Sequence, residues 1–257
     1  MDLPSHPRAL LIDLAGVLHV GSRAVAGAAD ALARARAAGL RTVFVTNTTR
    51  TPRRVLCAQM NALGFPMQEN ELVTAPSAAV RLVRARGWRP HWLVHPDLAA
   101  EVGPGDAAPD TVVMGDAGPY FDYAQLNAAF RLIHAGARFV AMARNRSFRE
   151  EDGLSLDMGA FVAGLEYSTG VTAEITGKPA PAFFAAALAL AGVPASAAVM
   201  VGDDVRDDIG GAQACGIAGM LVRTGKYAPG DERHAGIRPA AVVDDFAAAV
   251  RRLLAGG

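Results

Sequence analysis

Apolar residues in this chain gather in short runs that end in polar ones, and the runs alternate with longer stretches of helical spacing. Ala9 to Leu14 (ALLIDL) is the first such run and carries an acid near its end, which predicts a buried strand. After a turn at Gly16, the Ala/Arg-rich stretch from Ala24 to Gly39 reads as a helix closed by glycine. Arg41 to Thr46 (RTVFVT) is β-branched and aromatic and predicts a second strand. Pro52 to Leu63 reads as a helix and Leu72 to Thr74 as a short strand. This alternation predicts an α/β chain with a parallel sheet covered on both faces.

The same pattern returns late in the chain. Pro179 to Ala191 predicts an apolar helix, and Ala198 to Val201 a strand that runs into Gly202-Asp203-Asp204. A short helix over Ile209 to Cys215 and a strand over Gly219 to Val222 follow. Val242-Val243 and a helix from Phe246 to Leu254 complete the chain, with Asp244 or Asp245 as N-cap. Between the two halves, Trp92 to Val94, Thr111 to Met114 and Phe139 to Ala143 read as strands. Tyr123 to His134 and Gly159 to Tyr167 read as helices. The expected organisation is one domain from residues 1–75 and 178–257, with a second α/β domain, 76–177, inserted into it.

Composition narrows the function. Acidic and basic residues number 25 each, so no field of one sign invites nucleic acid. No apolar run approaches the roughly 20 residues of a membrane helix, and the first eight residues make a poor signal peptide. Cys57 and Cys215 form neither a disulfide framework nor a zinc spacing, which suits a reduced cytoplasmic protein. Only Lys178 and Lys226 are lysines in a chain that otherwise uses arginine, so each invites inspection.

In an open parallel sheet, ligands sit beyond the carboxyl ends of the strands. There the chain places Asp13-Leu14-Ala15-Gly16, Thr46-Asn47-Thr48, Gly177-Lys178-Pro179, and Gly202-Asp203-Asp204 with Asp207-Asp208. Folded together, these bring carboxylates, a hydroxyl, an amide and an ammonium to one point. That mixture suits phosphoryl transfer. Paired carboxylates can hold Mg²⁺, while Lys178 and the Thr46 hydroxyl balance charge on the transferring group. N–H groups after Asp13 and at the start of a helix at 179 can donate to phosphate. A carboxylate nucleophile would divide hydrolysis into two steps.

These segments, in this order, resemble the motifs of the haloacid dehalogenase superfamily of phosphohydrolases. The closest likeness is to the subfamily with an α/β cap inserted after the second motif. Within it the chain is similar to the phospholysine, phosphohistidine and inorganic pyrophosphate phosphatases and their hydrolase-domain relatives. FVTNTT (Phe44 to Thr49), GDDVRDDIGGAQ (Gly202 to Gln213) and VRTGKY (Val222 to Tyr227) support it, and it covers essentially the whole chain. The resemblance implies a doubly wound, Rossmann-like core. It makes Asp13 the nucleophile and a Mg²⁺ ligand, with the carbonyl of Ala15 and the Asp203 carboxylate as the other protein ligands. Thr46, Asn47 and Lys178 would bind the phosphate, with Asp204 and Asp208 behind them. Specificity would lie in the cap, in the stretch from Arg144 to Gly159 with Arg144 and Asn145 as its named candidates, toward a small phosphorylated molecule. Homodimers through the cap are common in this branch and are an expectation here.

One position departs from the pattern. Most phosphatases of the superfamily have a second aspartate two residues after the nucleophile, serving as general acid and base; here it is Ala15. The named branch tends to carry serine there. Losing a general acid forfeits about 10²–10⁴-fold, most for alkyl phosphates, so activated substrates are favoured. The same feature keeps open a second reading, a catalytically weak phospho-ligand binder. Phosphonatases also carry alanine here but need a lysine between the first two motifs, and none lies between Asp13 and Thr46.

Other features carry less. Thr224-Gly225-Lys226-Tyr227 is not a P-loop, because Tyr227 stands where a Ser or Thr would hold Mg²⁺; a surface or loop-anchoring lysine is expected. His91 and His95 would share a strand face with no third ligand, and His19 reads as a loop residue. Arg144, Asn145, Arg146 and Arg149 either face an acidic substrate or form a solvated basic loop.

Overall fold

The computed structural model describes residues 2–150 and 153–255. By their contacts they form two compact units. One comprises Met1–Thr46, Arg54–Val73 and Lys178–Gly257, the other Asn47–Arg53 and Thr74–Gly177.

In the first unit six strands form one sheet, in the order Ala241–Val243, Ala218–Val222, Ala198–Gly202, Ala9–Asp13, Arg41–Thr46, Leu72–Thr74. The pairings from Ala241–Val243 across to Arg41–Thr46 are parallel. The chain starts in the middle, winds outward on one side, then returns to wind outward on the other. This is a doubly wound α/β sheet whose switch in direction falls between Ala9–Asp13 and Ala198–Gly202. Every residue of those two strands is buried, as expected where both faces of a parallel sheet are covered. On one face, Leu10, Ile12, Val199 and Val201 share a core cluster with helices Ala28–Ala37 and Phe246–Ala255. Alternate strand residues point to one face, which is why 10 and 12 act together.

Several element boundaries differ from the sequence expectation, each for a local reason. The first helix begins at Ala28 rather than Ala24, because His19–Val20 and Arg23–Ala24 pair as an antiparallel hairpin. The helix expected at Pro179 begins at Pro181, since Ala180 is extended as its N-cap and proline suits the first turn. The helix expected over Ile209 to Cys215 is a wider π turn, Val205–Gly210, continued by Gly211–Ala214. It starts early because Asp204 Oδ1 accepts the N–H groups of Arg206 and Asp207, at 2.9 and 3.0 Å. For the last helix, Asp245 is the cap, accepting the Ala248 N–H at 2.7 Å, while Asp244 pairs with Arg223.

The second unit holds a parallel sheet in the order Glu174–Ile175, Arg138–Ala141, Thr111–Met114, Pro90–Leu93. Val112 and Met114 pack with Val162 and Leu165 of helix Gly159–Thr169 and Ile133 of helix Tyr123–His134. Val113 points the other way, to Ala79, Val80 and Val83 of helix Ala75–Arg86. That helix was not read from the sequence. Its start is set by Thr74 and Ser77, which cap each other's backbone N–H groups. An antiparallel hairpin, Ser147–Glu150 with Gly153–Leu156, was likewise not anticipated. Among the described residues no helix is long and apolar enough to cross a membrane.

Candidate active site

The strand register sets the site. Asp13 is opposite Val45, so Thr46 stands one residue beyond it; Ile12 is opposite Val201, so Asp203 follows two residues further on. Both neighbours therefore deliver polar side chains to the carboxyl edge, at the switch point where such sheets open a crevice. Asp13, Thr46, Lys178, Asp203 and Asp208 are all buried. Buried charges need partners, and these have them. The Lys178 ammonium donates to Asp13 Oδ1 at 2.5 Å and to Asp208 Oδ1 at 2.6 Å. Asp208 Oδ2 accepts the N–H groups of Asp203 and Asp204, each at 3.1 Å. Asp203 Oδ2 accepts the Lys226 N–H at 2.7 Å.

Two glycines make room for Asp203. Gly16 (φ +87) and Gly225 (φ +66) have left-handed backbone, and a Cβ on either would run into the Asp203 carboxylate. The Thr224 hydroxyl donates to the Gly16 carbonyl and ties the two loops together. A Cβ at Gly202 would collide with the Asp208 carboxylate.

Charge is the strongest property of the cluster. Asp13, Asp203 and Asp208 can each offer an oxygen within 4.8 Å of the others. Burial raises the Asp13 pKa to about 6 against the opposing pull of Lys178. Burial raises Asp203 to about 8, helped by the charges of Asp13 and Asp208 and resisted by the Lys226 N–H. Burial also lowers Lys178, but Asp13 and Asp208 more than offset it, so its pKa is raised and it stays an ammonium. Asp207 is pushed to about 6 by burial and by Asp204 and Asp208. For Asp204, burial is outweighed by the N–H groups of Asp207 and Arg206 and by Lys226, so its pKa is lowered. Three buried carboxylates against one buried ammonium leave an excess of negative charge. An all-oxygen donor set with that excess fits a hard divalent cation. Asp208 is least available, since both its oxygens are already engaged.

The remaining sequence candidates fall as follows. Ala15 is exposed in the turn after the first strand and forms a bridge with His19. His19 Nδ1 is 2.7 Å from the Gly21 carbonyl, a turn contact. Asn47 belongs to the second unit, where a Cβ on Gly177 would stand 2.7 Å from its Oδ1. Arg144 is in the same unit and pairs with Glu166 at 2.5 Å; the Asn145 carbonyl accepts the Gly159 N–H at 2.9 Å. Of the stretch from Arg144 to Gly159 expected to touch substrate, 151–152 lie outside the described residues. His91 and His95 do not share a strand face: the strand ends at Leu93, and His95 caps the turn Pro96–Leu98. The expectation of a loop-anchoring role for Lys226 understated its place, because its backbone contacts Asp203 directly. Gly225 beside one of only two lysines was the available signal.

Comparisons with known proteins follow this geometry. The model of the haloacid dehalogenase-like hydrolases matches residues 10–102, and the HAD-hydrolase-like model matches residues 175–249. The rat phospholysine phosphohistidine inorganic pyrophosphate phosphatase is 39% identical over 254 residues, covering 96% of this chain and 94% of the rat protein. The human haloacid dehalogenase-like hydrolase domain-containing protein 2 is 41% identical over 251 residues, covering 96% of each. Among solved structures, a glycerol phosphate phosphatase from Mycobacterium tuberculosis in complex with magnesium superposes with a TM-score of 0.87 at 30% identity, covering 98% of this chain and 78% of that one. A 4-nitrophenylphosphatase from Thermotoga maritima shares the fold, with a TM-score of 0.89 at 23% identity, covering 96% and 97%. With its four motifs joined at one sheet edge and relatives 39% and 41% identical matched over 94% and 96% of their own length, the chain belongs to the phosphatases of the haloacid dehalogenase superfamily.

Proposed function

We propose that the chain hydrolyses small phosphorylated substrates, whether phosphoric monoesters, pyrophosphate or P–N compounds, by passing the phosphoryl group through Asp13. The observation that carries this reading is the Lys178 ammonium at 2.5 Å from Asp13 Oδ1, beside Asp203, at the switch point of the sheet. A carboxylate oxygen of Asp13 attacks phosphorus, and the bond to the leaving group breaks. Water then attacks the aspartyl-phosphate, releasing phosphate and restoring Asp13. Lys178 neutralises charge on the transferring group and orients Asp13, and Thr46 and Asn47 donate to phosphate oxygens. Asp208 holds Lys178, and Asp204 caps the turn beneath it. Mg²⁺, held by Asp13, the carbonyl of Ala15 and Asp203, would supply the charge neutralisation that phosphate oxygens need. The second unit is read as the cap, with Arg144 and Asn145 as its candidates for substrate specificity.

Ala15 leaves no carboxylic acid at the usual general-acid position, so the favoured leaving groups are those that depart without a proton from the protein, as aryl oxide and phosphate do, or that already carry one, as a protonated nitrogen does. The name of the rat relative, with P–N and pyrophosphate substrates, supports the same bias. A phospho-ligand binder without turnover is less favoured, because binding alone gives no reason to hold Asp13 against Lys178. The test is p-nitrophenyl phosphate hydrolysis with and without Mg²⁺, beside Asp13→Asn. Mg²⁺-dependent turnover is expected, with a loss on the order of 10³-fold or more in the variant. Turnover untouched by the substitution would rule the mechanism out.

A further inference from the structure

Lys226 is the one lysine whose side chain this chemistry does not use. Its backbone is fixed at the edge of the carboxylate cluster, the N–H donating to Asp203 Oδ2 at 2.7 Å. The residues before it are tied as well, Thr224 to the Gly16 carbonyl and Gly225 by its close approach to Asp203. The side chain is held far less. Its Nζ is 3.5 Å from Asp204 Oδ2, and 63% of the side chain is exposed. An ion pair that long and that solvated contributes little to stability. Asp204 has other work: its Oδ1 caps the turn Val205–Gly210. A backbone seated on the buried Asp203 carboxylate thus presents a solvent-facing ammonium beside Asp204.

We propose that Lys226 binds a second phosphoryl group, carried by the substrate next to the one that Asp13 attacks, and so selects diphosphates over phosphate monoesters. This rests on the reading of Asp13 as nucleophile and names a specificity residue for that site. Lysine suits the role, because its compact charge and three rotatable donors can follow an anion whose position changes as the bond breaks. In the competing role, a latch to Asp204, the residue would affect all ligands alike.

The experiment uses the full chain with Mg²⁺, as wild type, Lys226→Gln and Lys226→Arg. Calorimetry gives Kd for two non-hydrolysable probes, methylenediphosphonate and phenylphosphonate. Kinetics give kcat/KM for pyrophosphate and p-nitrophenyl phosphate. Lys226→Gln is expected to weaken the diphosphonate about tenfold more than the monophosphonate, the effect of losing one charge-assisted hydrogen bond. The ratio of kcat/KM for pyrophosphate to that for the ester should fall by a similar factor, through KM, and Lys226→Arg should restore most of both. Equal weakening of the two probes, or no binding of the diphosphonate to wild type, would overturn the proposal. The binding arm needs no turnover. A failure of Asp13→Asn to abolish hydrolysis would therefore count against the mechanism alone and leave the probe ratio to decide Lys226.

Discussion

Asp208 grips Lys178 with one oxygen, at 2.6 Å, while its other oxygen is itself held by the backbone N–H groups of Asp203 and Asp204. The ammonium is therefore aimed at Asp13 by a carboxylate that cannot turn. Asp208→Asn keeps the shape but puts an NH₂ group toward either the ammonium or those N–H donors. Lys178 retains Asp13 as a partner, so the damage should fall on geometry more than on folding. A loss of roughly 10–100-fold in kcat/KM is expected, as for partners that orient a working group. Steady-state kinetics beside a melting curve check it, and unchanged kinetics would mean that Lys178 is positioned without Asp208.

Removing divalent ions should make stability depend on pH in a defined direction. The folded-state pKa values of Asp13, about 6, and Asp203, about 8, lie above the ordinary 3.8. Between about pH 4 and about pH 8 the folded protein then binds more protons than the unfolded chain, so stability falls as pH rises. Urea denaturation in chelator should give a lower free energy at about pH 8 than at about pH 5.5. A saturating divalent cation binds the ionised cluster and should reverse the loss, by about 2.7 kcal/mol at a hundredfold excess over Kd. A pH-independent curve in chelator would contradict the excess of buried negative charge.

Gly16→Ala should cost more than its backbone strain. A non-glycine residue at φ +87 costs about 1–2 kcal/mol, and here the added Cβ also strikes the Asp203 carboxylate. Gly39→Ala is the control, with φ +84 and nothing within 4 Å of the Cβ. Both variants should melt earlier, but only Gly16→Ala should also lose the stabilisation by Mg²⁺. Equal responses to Mg²⁺ would show that Asp203 does not need that space.

Ala15→Asp should raise the hydrolysis of alkyl phosphates, whose leaving oxygen needs a proton. Ala15 is exposed in its turn, so a carboxylate can be added without disturbing the core. The gain should approach the low end of general-acid effects, about 10²-fold, and should be much smaller for p-nitrophenyl phosphate. Parallel assays of a sugar phosphate and the aryl ester measure it; no gain for the sugar phosphate would show that the missing acid does not limit turnover.

Much of the site was legible in the linear chain because its parts are local. A strand of apolar residues that ends in Asp13, and another that leads to Gly202-Asp203-Asp204, announce themselves by spacing alone. The turn carrying Asp208 follows closely, so its proximity to Asp203 is nearly forced. Leu72–Thr74 and Tyr123–His134 also came out as read, since apolar periodicity sets them without help from distant residues.

Tertiary structure decided whatever depends on partners far along the chain. Lys178 and Asp13 are 165 residues apart, and only the return of the chain to the centre of the sheet brings them to 2.5 Å. The loop at Thr224–Lys226 reads in the sequence as one that holds a surface or loop-anchoring lysine; its contact with Asp203 is made by a backbone N–H, which every residue but proline carries, so the rarity of the lysine marks the loop without naming the partner. Helix starts shifted for a different, local reason: a side-chain oxygen or a hairpin claimed the first residues, and such hydrogen bonds outweigh the few tenths of a kcal/mol by which propensities differ. Residue chemistry is written in the sequence, whereas the distances that turn buried like charges into one site exist only once the sheet has formed.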